Sequence, residues 1–175
     1  MFRRAFALVT TAVLVFAPAA TGSVAGGAPG PKAHAPNVVR LVGNEVFEAN
    51  ALIQATFRFS PERQFPHSGE RVRWIDRDQT ADPHTVTLIR KSQLPTSLPE
   101  VFSCEPCNEA LDAHFGAGPP VHRVNVGEPG LDRPGDSLLL FDGESIGANV
   151  SAPSGKRLFY VCAIHPWMQG QLKVG

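Results

Sequence analysis

The sequence predicts an all-β sandwich, and three observations predict it. Apolar residues recur at alternate positions in short runs, as a strand with one buried face requires. Those runs are cut by Gly, Pro, Asn and Asp, with 16 glycines and 16 prolines among 175 residues. Helical patterning is confined to one stretch, 108–115. Roughly seven or eight short strands with this much turn chemistry pack as two sheets around one core.

The first 25 residues read as a secretory signal rather than as part of that core. Phe2-Arg3-Arg4 is a short positive region, and Ala5 to Ala17 is apolar apart from Thr10 and Thr11. The run is shorter than the ~20 residues a membrane-spanning helix needs. Ser23-Val24-Ala25 offers a small-x-small cleavage site, with 17–20 as the competing one. Residues 26–36, rich in Gly, Ala and Pro, form a lead-in too poor in apolar side chains to fold. The domain is therefore expected at 37–175, a length suited to one core. Losing Arg3 and Arg4 leaves 14 basic side chains against 16 acidic ones, so no nucleic-acid partner is indicated.

The strands follow in order. Val38 to Val42 precedes the turn Gly43-Asn44, and Val46-Phe47 leads on to an alternating run from Ile53 to Phe59. In that run Thr56 and Arg58 face water, while Ile53, Phe57 and Phe59 compete for the interior. Arg71 to Asp76 places Val72 and Trp74 on one face, with Trp74 in the core. His84 opens the next strand, with Val86 and Leu88 on one face. Between Arg90 and Gly135 the periodicity fails amid seven prolines. So long an irregular connection is unusual in a compact domain and is expected to pack locally. One helical turn or two fits 108–115, and 122–126 adds a short strand. Ser137 to Phe141 and Ala148 to Val150 precede the run from Arg157 to Cys162. That run sends Leu158, Tyr160 and Cys162 to one face and Phe159 and Val161 to the other. The last strand ends at Val174.

Between those two final strands lies Cys162-Ala163-Ile164-His165-Pro166-Trp167-Met168-Gln169-Gly170. It offers a thiol, an imidazole and a thioether, and Pro166 keeps His165 out of a helix. Met168 is the only methionine besides Met1, which weighs toward a ligand role rather than gap filling. Three cysteines are an odd set for an exported chain. If Cys104 pairs with Cys107, Cys162 is left over, and coordination would protect its thiol. The three side chains together favour copper. A further ligand must come from elsewhere, and His84, at a strand entrance beside a turn, is the candidate. The bland alternative is a strand-end histidine bonded to Asp82.

Gly69-Glu70-x-Val72-x-Trp74, Pro83-His84-Thr85-Val86 and Tyr160-x-Cys162-x-x-His165-Pro166-Trp167-Met168-x-Gly170 together resemble the cupredoxins, the type 1 or blue copper proteins. The short loop is most similar to the amicyanin and pseudoazurin branch. The resemblance covers roughly 37–90 and 136–175. It implies an eight-stranded Greek-key sandwich with one copper at its end, held by His84, Cys162 and His165 with Met168 as the weak axial ligand. The departure is the segment 91–135, a long insertion between the two halves. The function implied is one-electron transfer, without enzymatic turnover, to a transient redox protein partner. An exported monomer, periplasmic or extracellular, with no membrane segment in the mature chain, completes the expectation. The alternative is an exported copper-binding or copper-delivery protein. Cys104-Glu105-Pro106-Cys107 stays open between a disulfide, a second metal site with His114 and His122, and thiol redox chemistry. Trp167, between two ligands, either packs over the metal edge or forms part of a contact surface.

Overall fold

The computed structural model describes residues 36–175. The leader and the lead-in as far as residue 35 lie outside the described residues.

Two sheets face one another. The first holds β1 (Asn37–Val42), β4 (Arg58–Ser60), β6 (Arg71–Asp76) and β10 (Ser145–Asn149), in the order β10-β6-β1-β4. The second holds β5 (Arg63–Gln64), β7 (His84–Ile89), β8 (Arg123–Val124), β9 (Ser137–Leu140), β11 (Arg157–Val161) and β12 (Gln169–Lys173), in the order β5-β12-β11-β7-β9-β8. Pairing is antiparallel except for β1 with β6 and β12 with β5. Val39, Leu41, Phe59, Val72, Trp74 and Ala148 from the first sheet meet Val86, Leu88, Leu138, Leu140, Leu158, Tyr160 and Leu172 from the second in one buried cluster. The alternation read in the sequence is the cause, because every second side chain of each strand points into this layer.

The region 45–60 departs from expectation. The run from Ile53 to Phe59 is broken, so that β2 (Glu45–Glu48) and β3 (Leu52–Ala55) form a separate hairpin. Ile53 is 74% exposed, while Phe57 and Phe59 are buried. Thr56 causes the break: its hydroxyl contacts Asn44 Oδ1 at 2.6 Å, and its amide donates to the Asn44 carbonyl, closing the hairpin's base before Phe57 turns inward.

The segment 91–135 is more helical than the sequence suggested. After a 3-10 turn at Lys91–Gln93 come α1 (Leu98–Phe102) and α2 (Glu105–Phe115), which begins three residues before the expected start. Cys104 and Cys107 are joined by a disulfide. With Ala110 they pack on Ile89, Val161 and Ala163, on the outer face of the second sheet. That face is therefore covered, and β7 and β9 are buried at every position.

Candidate metal centre

The last two strands create the loop's geometry. Val161 pairs with Gln169 at the mouth of the β11–β12 turn, leaving 162–168 to close it. The Cys162 amide donates to the Met168 carbonyl at 3.0 Å, and the Met168 amide donates to the His165 carbonyl at 2.8 Å. These bonds hold all three donor-bearing residues of the loop on one tight turn. Gln169 ties the turn to the inserted segment by donating from its side chain to the Pro95 carbonyl at 2.7 Å. Gly170, opposite Tyr160, has no room for a side chain. A Cβ there would stand 2.2 Å from the phenol ring.

His84 arrives from the neighbouring strand β7. Its Nδ1 lies 3.7 Å from Cys162 Sγ and 3.2 Å from His165 Nδ1, and His165 Nδ1 lies 3.8 Å from the same sulfur. One thiol and two imidazole nitrogens thus converge on a common centre. His84, Cys162 and Met168 are buried, and His165 is 7% exposed. The structure brings His84, Cys162 and His165 together, and Met168 is held on the same turn by backbone bonds to Cys162 and His165.

Several supports were not read from the sequence. Asp78, inside the polar turn 76–83, hydrogen-bonds His84 Nε2 through its carboxylate, and both side chains are fully buried. The partner is Asp78 rather than Asp82, because nested turns orient it: the Asp78 amide donates to Asp76 Oδ1 at 3.1 Å, and Asp78 Oδ1 accepts the Thr80 amide at 2.8 Å. The signal was present in Asp76-x-Asp78-x-Thr80, a spacing suited to successive side-chain-to-backbone turns. Asp82 instead approaches His165 Nε2, at 3.9 Å. Phe57 covers the cluster, its ring centroid 4.6 Å from that of His165 and 5.3 Å from that of His84. Trp167 packs at the edge of the cluster, its ring centroid 5.2 Å from that of His165, and the residue is 42% exposed.

Electrostatics act on both Cys162 and His84. Burial opposes a charged Cys162, yet hydrogen bonds and charge from His165 and His84 lower its pKa from the ordinary thiol value. Burial likewise opposes a charged His84, but Cys162 and then Asp78 raise its pKa. A thiolate, the form that binds metal, is therefore favoured. The Thr85 amide donates to Cys162 Sγ at 3.3 Å and supports the same form. Asp76, also buried, has its pKa raised above the ordinary carboxylate value, chiefly by desolvation; the Asp78 amide bond opposes this and the charge of Asp78 adds to it.

Two imidazoles and a thiolate converge as donors, with a buried methionine on the same turn, and this set fits one copper ion. Cys104, Cys107, His114 and His122 form no second metal cluster among the described residues. The cysteines are bonded to each other, His114 contacts Ser137 and Val121, and His122 contacts the Leu139 carbonyl.

Similar solved structures include auracyanin A, a "blue" copper protein from Chloroflexus aurantiacus (17% identity, 81% of this chain and 100% of that one, TM-score 0.45). Plastocyanin from Dryopteris crassirhizoma is similar at 22% identity (79% and 99% covered, TM-score 0.40). The purple cupredoxin from Nitrosopumilus maritimus is similar at 16% identity (78% and 98% covered, TM-score 0.40). No family model and no curated protein matches the sequence. The copper reading rests on this chain's own donors.

Proposed function

We propose that this chain is a type 1 copper protein that carries single electrons, with His84, Cys162 and His165 as the strong ligands and Met168 as the weak axial one. The observation that carries the reading is the convergence of three buried donor atoms within 3.8 Å of one another, one on β7 and two on the turn that follows its paired neighbour β11. When bound, copper supplies a one-electron Cu(II)/Cu(I) couple. The residues supply a fixed geometry: β7 and the β11–β12 turn hold the donors in place, so little rearrangement accompanies a change of charge. Phe57 excludes water, and Asp78 and the Thr85 amide hold His84 and Cys162 in their binding forms.

His165 and Trp167 supply the route outward. The His165 ring is the ligand nearest solvent, and Trp167 extends that edge as an exposed aromatic surface. A transient redox protein docking there meets apolar contact area without a large interface. Copper delivery is supported less well, because burial of His84 and Cys162 opposes exchange with a chelating partner. We read the protein as an exported monomer without enzymatic turnover, and the disulfide agrees with an oxidising compartment. Among the described residues no helix is long and apolar enough to cross a membrane.

The test is the optical and spin-resonance spectrum of the copper-loaded protein, with metal content measured on the same sample. An intense thiolate-to-Cu(II) band at one copper per chain, lost in Cys162→Ser, is the expected result. A colourless protein that holds only Cu(I) and yields it to a chelator would overturn the reading.

A further inference from the structure

The outer face of the second sheet presents three hydroxyls, on Thr85, Thr87 and Ser137, and all three are buried. Buried hydroxyls need partners, and these find one another. Thr85 Oγ1 lies 3.0 Å from Thr87 Oγ1, and Thr87 Oγ1 lies 2.8 Å from Ser137 Oγ. One end of the series reaches His114 on α2, whose Nε2 is 2.7 Å from Ser137 Oγ. The other end reaches the copper loop, where the Ala163 amide donates to Thr85 Oγ1 at 2.7 Å.

The direction of every proton follows from the far end. His114 Nδ1 is 2.5 Å from the Val121 carbonyl oxygen, which can only accept, so Nδ1 carries the proton. Burial disfavours a second proton on this ring and lowers its pKa; the Val121 bond opposes that effect and the nearby His122 adds to it. Nε2 is then a lone pair, and Ser137 must donate to it. Ser137 has one proton, so Thr87 donates to Ser137, and Thr85 in turn donates to Thr87. That leaves Thr85 Oγ1 free to accept from Ala163. Each hydroxyl turns its hydrogen toward His114 and its oxygen toward the metal cluster.

We propose that the inserted segment 91–135 tunes the copper centre through this one-way relay of buried hydrogen bonds, with His114 as the positioning residue that sets its direction. The proposal rests on the copper reading of the site. Aligned dipoles with their negative ends toward the cluster favour the more positive oxidation state, Cu(II) over Cu(I). Without the His114 acceptor nothing orients Ser137, the hydroxyls can reverse, and that preference relaxes. The relay enters the ligand sphere at the backbone beside Cys162. The Thr85 amide, on the residue that receives the relay, is also the donor to Cys162 Sγ.

The experiment is a double-substitution cycle on the reduction potential of the copper-loaded protein, using His114→Phe, Thr87→Val and the pair. The two sites communicate through Ser137. Each single change is expected to shift the Cu(II)/Cu(I) equilibrium toward Cu(I) by up to tenfold, about 59 mV more positive for one electron. The pair is expected to shift it no further than the larger single change, because one break releases the whole relay. Additive shifts, or none, overturn the proposal. If His114→Phe does not fold, Ser137→Ala cuts the relay from within the sheet and takes its place. A second readout uses metal-free protein: nitrogen-15 NMR of the His114 ring should find a neutral ring with its proton on Nδ1, and a proton on Nε2 overturns the relay. Absence of the thiolate-to-copper band overturns the copper reading, and the proposal with it, without touching the tautomer result.

Discussion

Asp78 acts on the proposed metal site from behind His84. A buried carboxylate on the outer nitrogen of a histidine fixes the tautomer and raises the basicity of the nitrogen that faces the metal. Asp78→Asn keeps the shape but removes the charge. Copper affinity of that variant is expected to fall about 10- to 100-fold in competition with a chelator, with Asp78→Glu recovering part of the loss. Gly170 constrains the site from the opposite side through Tyr160. Gly170→Ala forces a methyl into the phenol ring and is expected to cost about 1–3 kcal/mol, read as a lower urea midpoint at unchanged slope. Residues of these two kinds differ in how far the sequence discloses them. Cys162, His165 and Met168 are legible because one short turn carries them, and His84 because a histidine at a strand entrance reads directly. For Asp78 the spacing discloses a turn but not the residue's partner. Its role depends on which way a nested turn points its carboxylate, and composition alone left that segment merely polar.

At the scale of the element, α2 explains why the inserted segment resisted reading. Its buried positions, Cys107, Ala110 and His114, follow helical spacing. They are a disulfide cysteine, a small residue and a polar one, so no apolar stripe announces them. Thr85, Thr87 and Ser137 give no sign of burial either, since hydroxyls at alternate strand positions suit a solvated face equally well. The helix makes that face internal, and its attachment can be tested in two places. Loss of the Cys104–Cys107 link is expected to lower stability by about 2 kcal/mol, the chain-entropy value for so short a loop, measurable by denaturation of Cys104→Ser/Cys107→Ser. His114 adds a pH dependence. Its folded-state pKa is depressed below the ordinary 6.5, chiefly by burial, so the neutral ring is the native form. Its contribution to stability is full above that value and is lost as the pH falls below it. Denaturation midpoints measured downward from pH ~7 should show that acid loss, and it should be smaller in His114→Phe.

At the scale of the molecule, the sandwich and its site were legible together because both depend on alternation. The period that sends Leu158 and Tyr160 inward also sends Cys162 there, at the end where His84 enters. The hairpin formed by β2 and β3 was not legible. Val46, Phe47, Leu52 and Ile53 carry core-type side chains yet lie exposed, and only the Asn44–Thr56 bonds show why the strand stops before Phe57.

The burial of β7 and β9 on both faces also governs how the protein opens. Amide hydrogens exchange with solvent only when their strand is released, and a strand covered by a sheet on one side and a helix on the other has no partial route to release. In deuterium oxide, amides from Thr85 to Leu88 and from Leu138 to Leu140 should be the last to exchange, at the rate of global unfolding. The hairpin of β2 and β3 should exchange first. His84 stands at the head of that slowest strand, so the wall that carries it should stay closed until the whole domain opens.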